Sequence, residues 1–231
     1  MTQALTQLGA LLHLVDPTLP IGGFNHSNGL ETFVQERVVH NKDSLHSYVQ
    51  VQLQQNWAYN DGAYLSLAYD AMMADDVQAL IQLDQKLAAT KMPRQIRDGG
   101  AKLGIRLLKI FGRYETHPTL LAYADALTQK HAKGFFPIVF AIVAAAMGLD
   151  KSSTLYAFYY NAAVGTVTNG VKLIPLSQMD GQDILYALRT PIEQAVQSSL
   201  NPDLSWLGAA TVASDIRAMR HEQLYTRLYM S

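Results

Sequence analysis

The chain has 231 residues, of which 49% are hydrophobic and 16% charged, and its formal net charge is −1. This length supplies one core of ordinary size, and the lysines and arginines are scattered without a basic run, which argues against a nucleic-acid binder. The absence of cysteine excludes disulfides and thiolate metal sites and fits a reducing compartment, so we expect a cytoplasmic protein.

The first predicted element is an amphipathic helix at the N-terminus. Its apolar residues recur at three- and four-residue steps, which places them on one helical face: Leu5, Leu8, Leu11, Leu12 and Val15. No basic segment precedes them and no small-residue cleavage pattern follows, so the segment does not resemble a signal peptide. Prolines and glycines between residues 16 and 23 end the periodic pattern.

Further helices are predicted along the rest of the chain, because each apolar periodic stretch follows a capping residue or a proline. These predicted starts are Asp43-Ser44, Asp61-Gly62, Asp75-Asp76, Pro93 and His117-Pro118. Strand-like alternation is rare, and Asn169-Gly170 and Asp180-Gly181 lie between helical patterns rather than between strands. The sequence therefore predicts an all-α, single-domain bundle of about ten helices over residues 1–231.

The most apolar part of the chain lies between Lys133 and Lys172, where Asp150 and Lys151 are the only charged residues. Residues 134–149 are too few for a membrane span, and residues 152–171 contain several serine, threonine and asparagine side chains. We interpret the two stretches as a central apolar helical hairpin wrapped by amphipathic helices. A membrane hairpin is the alternative.

The sequence contains no recognisable catalytic, phosphate-binding or metal-binding motif. The glycines after residue 98 are not followed by a phosphate-loop lysine, no G-x-S-x-G elbow occurs, and the seven histidines form no pair on one helical face. We therefore expect no catalytic residues, no metal site and no cofactor. The alternative is a small α-helical hydrolase that uses His26, Ser27 and Glu31.

Two segments are unusual enough to suggest a function. Residues 19–31 place a proline- and glycine-rich turn before a polar stretch that enters a helix. Residues 214–229 combine three arginines with Met219, Tyr225 and Tyr229, a composition that suits anchoring in the groove of a partner. A frayed terminal helix is the other interpretation of this second segment.

Both segments resemble one family. The pattern L-P-x-G-x-F-x-x-S-x-G-L-E over residues 19–31 is similar to the N-terminal signature of the UreF family, and residues 214–229 resemble the C-terminal tail of that family. Residues 171–178 are similar to a turn of the family, although Ser177 stands where glycine is usual. Residues 136–141 also resemble the family, which commonly has histidine near Phe135 and glycine near Ala141. The resemblance is collinear and spans nearly the whole chain.

The resemblance implies an all-α, generally dimeric urease accessory protein that is not an enzyme. Such proteins act between UreD (UreH in some species) and the nickel-carrying GTPase UreG, and the complex delivers nickel to apo-urease. Carried onto this sequence, the GTPase face comprises Ser27, Gly29, Glu31, Lys172 and Gln178. The partner-binding tail, about residues 213–231, would contact UreD through Asp215, Arg217, Met219, Arg220, His221, Tyr225 and Arg227. We expect this tail to be loosely ordered in the free protein and to fold into a groove of UreD.

Overall fold

A computed structural model describes residues 2–23, 26–209 and 211–231, so Phe24 and Asn25 of the N-terminal motif lie outside the described residues. The regular structure of these ranges is helical, without strands, which confirms the all-α prediction. The α-helices are α1 (Thr2–Leu14), α2 (Leu30–Gln35), α3 (Lys42–Val51), α4 (Ala63–Met73), α5 (Val77–Thr90), α6 (Arg94–Phe111), α7 (Pro118–Thr128), α8 (Phe136–Ala146), α9 (Lys151–Leu173), α10 (Gln178–Ala187), α11 (Arg189–Leu200) and α12 (Val212–His221). A π-helical segment (Gln52–Gly62) joins α3 to α4, and a short 3₁₀ turn (Leu204–Trp206) precedes α12.

Several predicted helix starts are confirmed. The Asp76 carboxylate accepts a hydrogen bond from the backbone N–H of Ala79 (2.9 Å) and caps α5. Pro118 is the first residue of α7, as predicted. Pro93 is the residue immediately before α6 rather than the first residue in it. The cap of α3 is Asn41, which forms a reciprocal capping box with Ser44, and not Asp43-Ser44.

Two glycine pairs predicted to lie between helices, Asn169-Gly170 and Asp180-Gly181, lie inside helices, whereas Asp61-Gly62, predicted to open a helix, directly precedes α4. Asp61-Gly62 ends the π-helical segment and continues directly into α4. A Cβ at Gly62 would lie 1.7 Å from the hydroxyl oxygen of Tyr159, so this glycine permits close packing against α9. Asn169-Gly170 lies within α9 and Asp180-Gly181 within α10. Tertiary packing thus outweighs the local preference of these pairs for turns.

The core is centred on α8, in which every residue from Pro137 to Ala144 is buried. The main packing partners of α8 are α4 and α6, whereas α9 packs chiefly against α11. The two apolar helices are consecutive in the chain, but the predicted central hairpin is not confirmed. None of the described helices combines the length and the apolar composition needed to cross a membrane.

The first helix divides its leucines between core and surface. Leu14 is buried and Leu11 packs partly against the core, whereas Leu5, Leu8 and Leu12 are at least half exposed. The apolar face predicted from the periodicity is therefore only partly covered by the rest of the described chain.

The closest approach between α6 and the segment leading into α8 occurs at Gly104. A Cβ built there would lie 2.1 Å from the carbonyl oxygen of Gly134, whereas a Cβ at Gly100 would meet only the Phe135 ring at 3.5 Å. We expect Gly104→Ala to lower the free energy of unfolding by about 1–3 kcal/mol through overpacking.

Gly100→Ala is the matched control, because it adds the same methyl group to the same helix without a clash. It should be neutral, or stabilising by up to about 1 kcal/mol, since alanine favours helix more than glycine does. Urea unfolding followed by circular dichroism measures both variants. Equal stability of the two variants would contradict this account of the packing.

Candidate partner-binding site

The N-terminal motif lies against the C-terminal helix. Gly29 precedes α2 with a positive φ of 88°, a conformation that glycine adopts without strain. A Cβ at Gly29 would lie 3.3 Å from the Cβ of Ala218, so α12 packs directly on the start of α2. Ser27 and Glu31 are both buried, with at most 3% of their surface exposed.

Glu31 holds the tail to the body of the protein. One carboxylate oxygen accepts a hydrogen bond from the backbone N–H of Leu228 (2.8 Å). The other accepts from the backbone N–H of Tyr229 (3.3 Å) and lies 2.9 Å from Nε2 of the fully buried His221. We call this set the Glu31 clamp: Glu31, His221 and the backbone N–H groups of Leu228 and Tyr229. A buried carboxylate that accepts several hydrogen bonds is strongly disfavoured without its donors, so the clamp fixes the position of the tail.

Gln95 of α6 completes the network around His221. In the amide orientation that satisfies all neighbours, its nitrogen donates to the carbonyl oxygen of Met230 (3.1 Å) and to Nδ1 of His221 (3.0 Å). Its oxygen accepts from Arg227 (3.1 Å). Because Nδ1 of His221 then accepts, its Nε2–H donates to Glu31. The network therefore ties α2, α6 and the tail together.

The last residue of the chain is held by the N-terminal motif. The backbone N–H and the hydroxyl of Ser27 both donate to the backbone oxygen of Ser231, each at 2.6 Å. Nδ1 of His26 lies 2.8 Å from the Ser231 hydroxyl. Burial, together with the nearby charges of Lys102 and Arg106, lowers the pKa of His26, so this imidazole is neutral near pH 7.

This geometry does not favour the alternative hydrolase. A nucleophilic serine needs a base within hydrogen-bond reach and a third group that orients the base. Here the hydroxyl of Ser27 donates to a backbone oxygen, His26 faces Ser231, and Glu31 binds the tail. The three predicted residues thus connect chain segments instead of forming a catalytic arrangement.

Surface charges surround the buried clamp. Arg217 and Arg220 both pair with Glu36 at the end of α2 (2.8 and 3.0 Å), and Arg94 pairs with Glu222 (2.8 Å). Hydrogen bonds from the two arginines lower the pKa of Glu36. The tail is therefore docked, and the expectation of a loosely ordered tail is wrong. The physical reason is that its inner side supplies donors to a buried carboxylate.

The outer side of the tail remains uncovered by the described chain. Tyr225 is fully exposed, and Met219, Leu228 and Met230 are exposed to between 41% and 75%. The tail thus has one side bound to the protein and another side of large apolar residues open to solvent. Such exposed apolar clusters mark interaction surfaces.

The second part of the predicted GTPase face lies near the first. Asn169, close to the end of α9, donates a hydrogen bond to the backbone oxygen of His26 (2.9 Å). Lys172 and Gln178 are exposed, in contrast to Ser27 and Glu31. Ser177 replaces the usual glycine and caps α10 through a reciprocal pair of hydrogen bonds with Asp180.

A cavity of about 450 Å³ lies beneath the N-terminal motif, with a mainly apolar lining that also contains polar and charged side chains. Its polar lining includes His26, Asn56, Asp61, Lys91, Ser214 and Asp215. Asp61 and Lys91 form an ion pair at 2.8 Å, and burial raises the pKa of Asp215. The residues described by the structure contain no group of three or more histidine, cysteine, aspartate or glutamate side chains that could hold a metal ion.

This cavity was not predicted from the sequence. The sequence feature that indicates it is the spacing of Gln52, Asn56 and Asn60, which lie four residues apart and therefore on one helical face. In the structure Asn56 donates to Gln52 (2.8 Å), and Gln52 donates to the hydroxyl of Ser214 just before the tail (3.1 Å).

Known proteins match this chain along its whole length. The UreF family profile matches residues 39–189. Urease accessory protein UreF of Actinobacillus pleuropneumoniae is 73% identical over 225 residues, which cover 97% of this chain and 99% of that protein. The protein of the same name from Haemophilus influenzae is 69% identical over 100% of this chain and 98% of its own length. Urease accessory protein UreF of a Bacillus species is 34% identical over 98% of this chain and 100% of its own length.

The helical fold and these matches define an accessory protein of enzyme maturation, which is not itself an enzyme. The chain belongs to the UreF family of urease accessory proteins, and its role lies in urease maturation.

Proposed function

We propose that this protein bridges UreD (UreH) and the nickel-carrying GTPase UreG, and that the assembled complex delivers nickel to apo-urease. The observation that carries the proposal is the two-sided tail. The Glu31 clamp fixes its inner side, while Tyr225, Met219 and Met230 face outward. Because the tail is already ordered, docking on UreD costs less conformational entropy than folding upon binding would.

The GTPase would contact a neighbouring surface. Lys172 and Gln178 supply exposed polar groups there, and Asn169 links this end of α9 to the N-terminal motif. Ser27 and Glu31 are buried, so in this proposal they act by shaping the surface rather than by touching UreG. Gly29 contributes the tight turn that brings α12 onto α2.

Nickel is the cargo in this proposal, and weak ligands suit a cargo because tight binding slows release. The cavity beneath the motif offers carboxylate, amide and imidazole groups from Asp61, Asn56 and His26. Oxygen and nitrogen donors of this kind bind nickel less firmly than a thiolate cluster would. A second copy of the chain is expected in the assembly, since UreF proteins are generally dimeric.

If the protein bridges UreD and UreG, one substitution should weaken binding of UreD alone and another should weaken binding of UreG alone. Tyr225→Ala should weaken UreD binding by about thirtyfold or more, because an exposed aromatic anchor becomes buried at an interface. Lys172→Glu should weaken UreG binding and leave UreD binding intact. Co-purification from cells that express all three proteins, followed by nickel-dependent urease activity, measures both effects.

Each variant serves as the control for the other, and Tyr186→Ala removes a second exposed tyrosine, on α10. Tyr186→Ala should retain UreD. If Tyr225→Ala retains UreD as well as Tyr186→Ala does, the tail is not the UreD-binding surface. If Lys172→Glu loses both partners, the two faces are not separate.

A further inference from the structure

The region around α6 carries a basic surface. Residues 94–113 contain six of the 18 lysines and arginines of the chain and only one acidic residue, Asp98. Lys102, Arg106 and Lys109 repeat at steps of four and three, which places them on one face of α6, and Arg113 follows four residues later in the turn after the helix. We call them the α6 stripe: Lys102, Arg106, Lys109 and Arg113. Its helical part, from Lys102 to Lys109, is roughly 10 Å long at the rise of an α-helix.

Among the described residues, no acidic side chain forms an ion pair with the stripe. Lys102, Lys109 and Arg113 are exposed and form no ion pair within the described part of the chain. Arg106 donates to the backbone oxygen of Ile21 (2.9 Å) and is otherwise exposed. This concentration of positive charge contrasts with the net charge of −1 of the whole chain.

A groove of about 620 Å³ runs beside the stripe, between α6 and the end of α1. Arg106, Lys109 and Arg113 line it together with apolar Leu19, Ile110 and Tyr114. The one carboxylate in its lining, Asp16, already accepts from the N–H and hydroxyl of Thr18 (2.7 and 2.6 Å). The groove therefore places positively charged side chains next to apolar side chains that a partner could contact.

We propose that the α6 stripe and its groove bind an acidic segment of a partner protein. A helix with carboxylates at steps of four, three and four would match the stripe, and its apolar residues would contact Ile110 and Tyr114. A nucleic-acid duplex fits less well, because the stripe is one helix wide and the remainder of the chain carries excess negative charge that would repel it. This inference does not depend on the identity of the two partners proposed above.

The test uses the full-length protein and a fluorescent helical peptide of about sixteen residues whose glutamates repeat the spacing of the stripe. A second peptide carries glutamine at those positions. The native protein should bind the glutamate peptide, and binding should weaken as salt is raised from about 0.05 M to about 0.5 M. The triple variant Lys102→Gln, Lys109→Gln and Arg113→Gln should bind about tenfold more weakly.

A second triple variant removes the same charge elsewhere: Lys86→Gln, Lys130→Gln and Lys133→Gln, all exposed. It should bind within about twofold of the native protein. An equal loss in both triple variants would show a net-charge effect and overturn the proposal, as would equal binding of the glutamine peptide. The proposal also fails if inorganic phosphate displaces the peptide better than chloride of equal ionic strength. It likewise fails if the native protein sediments with phosphatidylserine vesicles and not with the peptide.

Discussion

Replacing Glu31 with alanine is expected to release the tail from the body of the protein. The substitution leaves the N–H groups of Leu228 and Tyr229 and the Nε2–H of buried His221 without their acceptor. Each buried donor left without an acceptor costs about 1–3 kcal/mol, so the loss of three such contacts should cost about 3 kcal/mol or more. The docked tail therefore loses roughly a hundredfold or more in population relative to the detached tail.

Hydrogen exchange measures this release directly. The amides of Leu228 and Tyr229 should lose protection in Glu31→Ala, and trypsin should cleave the tail faster at Arg220 and Arg227, while the core helices keep their protection. Glu31→Gln should fall between alanine and the native protein, because one amide oxygen can still accept. Glu193→Ala, which removes an exposed carboxylate of α11, is the control and should leave tail exchange unchanged. Unaltered exchange at Leu228 and Tyr229 in Glu31→Ala would mean that other contacts hold the tail.

Local patterns in the sequence predict the helices well where a helix start depends on neighbouring residues alone. Asp76 caps α5 and Pro118 opens α7 because each acts within one helical turn. The predictions fail where distant packing decides. Asn169-Gly170 has a turn-forming preference, but Gly170 lies inside α9, where the side chain of Leu45 leaves no space for a Cβ.

The candidate site likewise has parts that neighbouring residues predict and parts that depend on distant contacts. The two segments that matter, residues 19–31 and 214–229, are visible in the sequence through their unusual composition and family resemblance. Their contact is not visible, since Glu31 and His221 are 190 positions apart. The α6 stripe was missed for a related reason: its basic residues alternate with apolar ones along the chain and become neighbours only on the helix surface.

Asp84 provides the second prediction with a large expected effect. This fully buried residue of α5 accepts hydrogen bonds from the backbone N–H groups of Lys133, Gly134 (3.0 Å) and Phe135 (2.9 Å). These three residues form the turn that leads into the central helix α8. The carboxylate thus accepts hydrogen bonds from N–H groups of a turn, where no helix supplies backbone acceptors.

We expect Asp84→Ala to lower the free energy of unfolding by about 3–5 kcal/mol, because three buried N–H groups lose their acceptor. Asp84→Asn keeps one acceptor oxygen but turns an NH₂ group toward donors, so it should lose slightly less. Asp125→Ala, which changes an exposed residue of α7, is the control and should stay within about 0.5 kcal/mol of the native protein. Urea unfolding followed by circular dichroism separates these cases. If Asp84→Ala is as stable as Asp125→Ala, the turn before α8 is held by its apolar contacts, and the carboxylate contributes little to the position of the central helix.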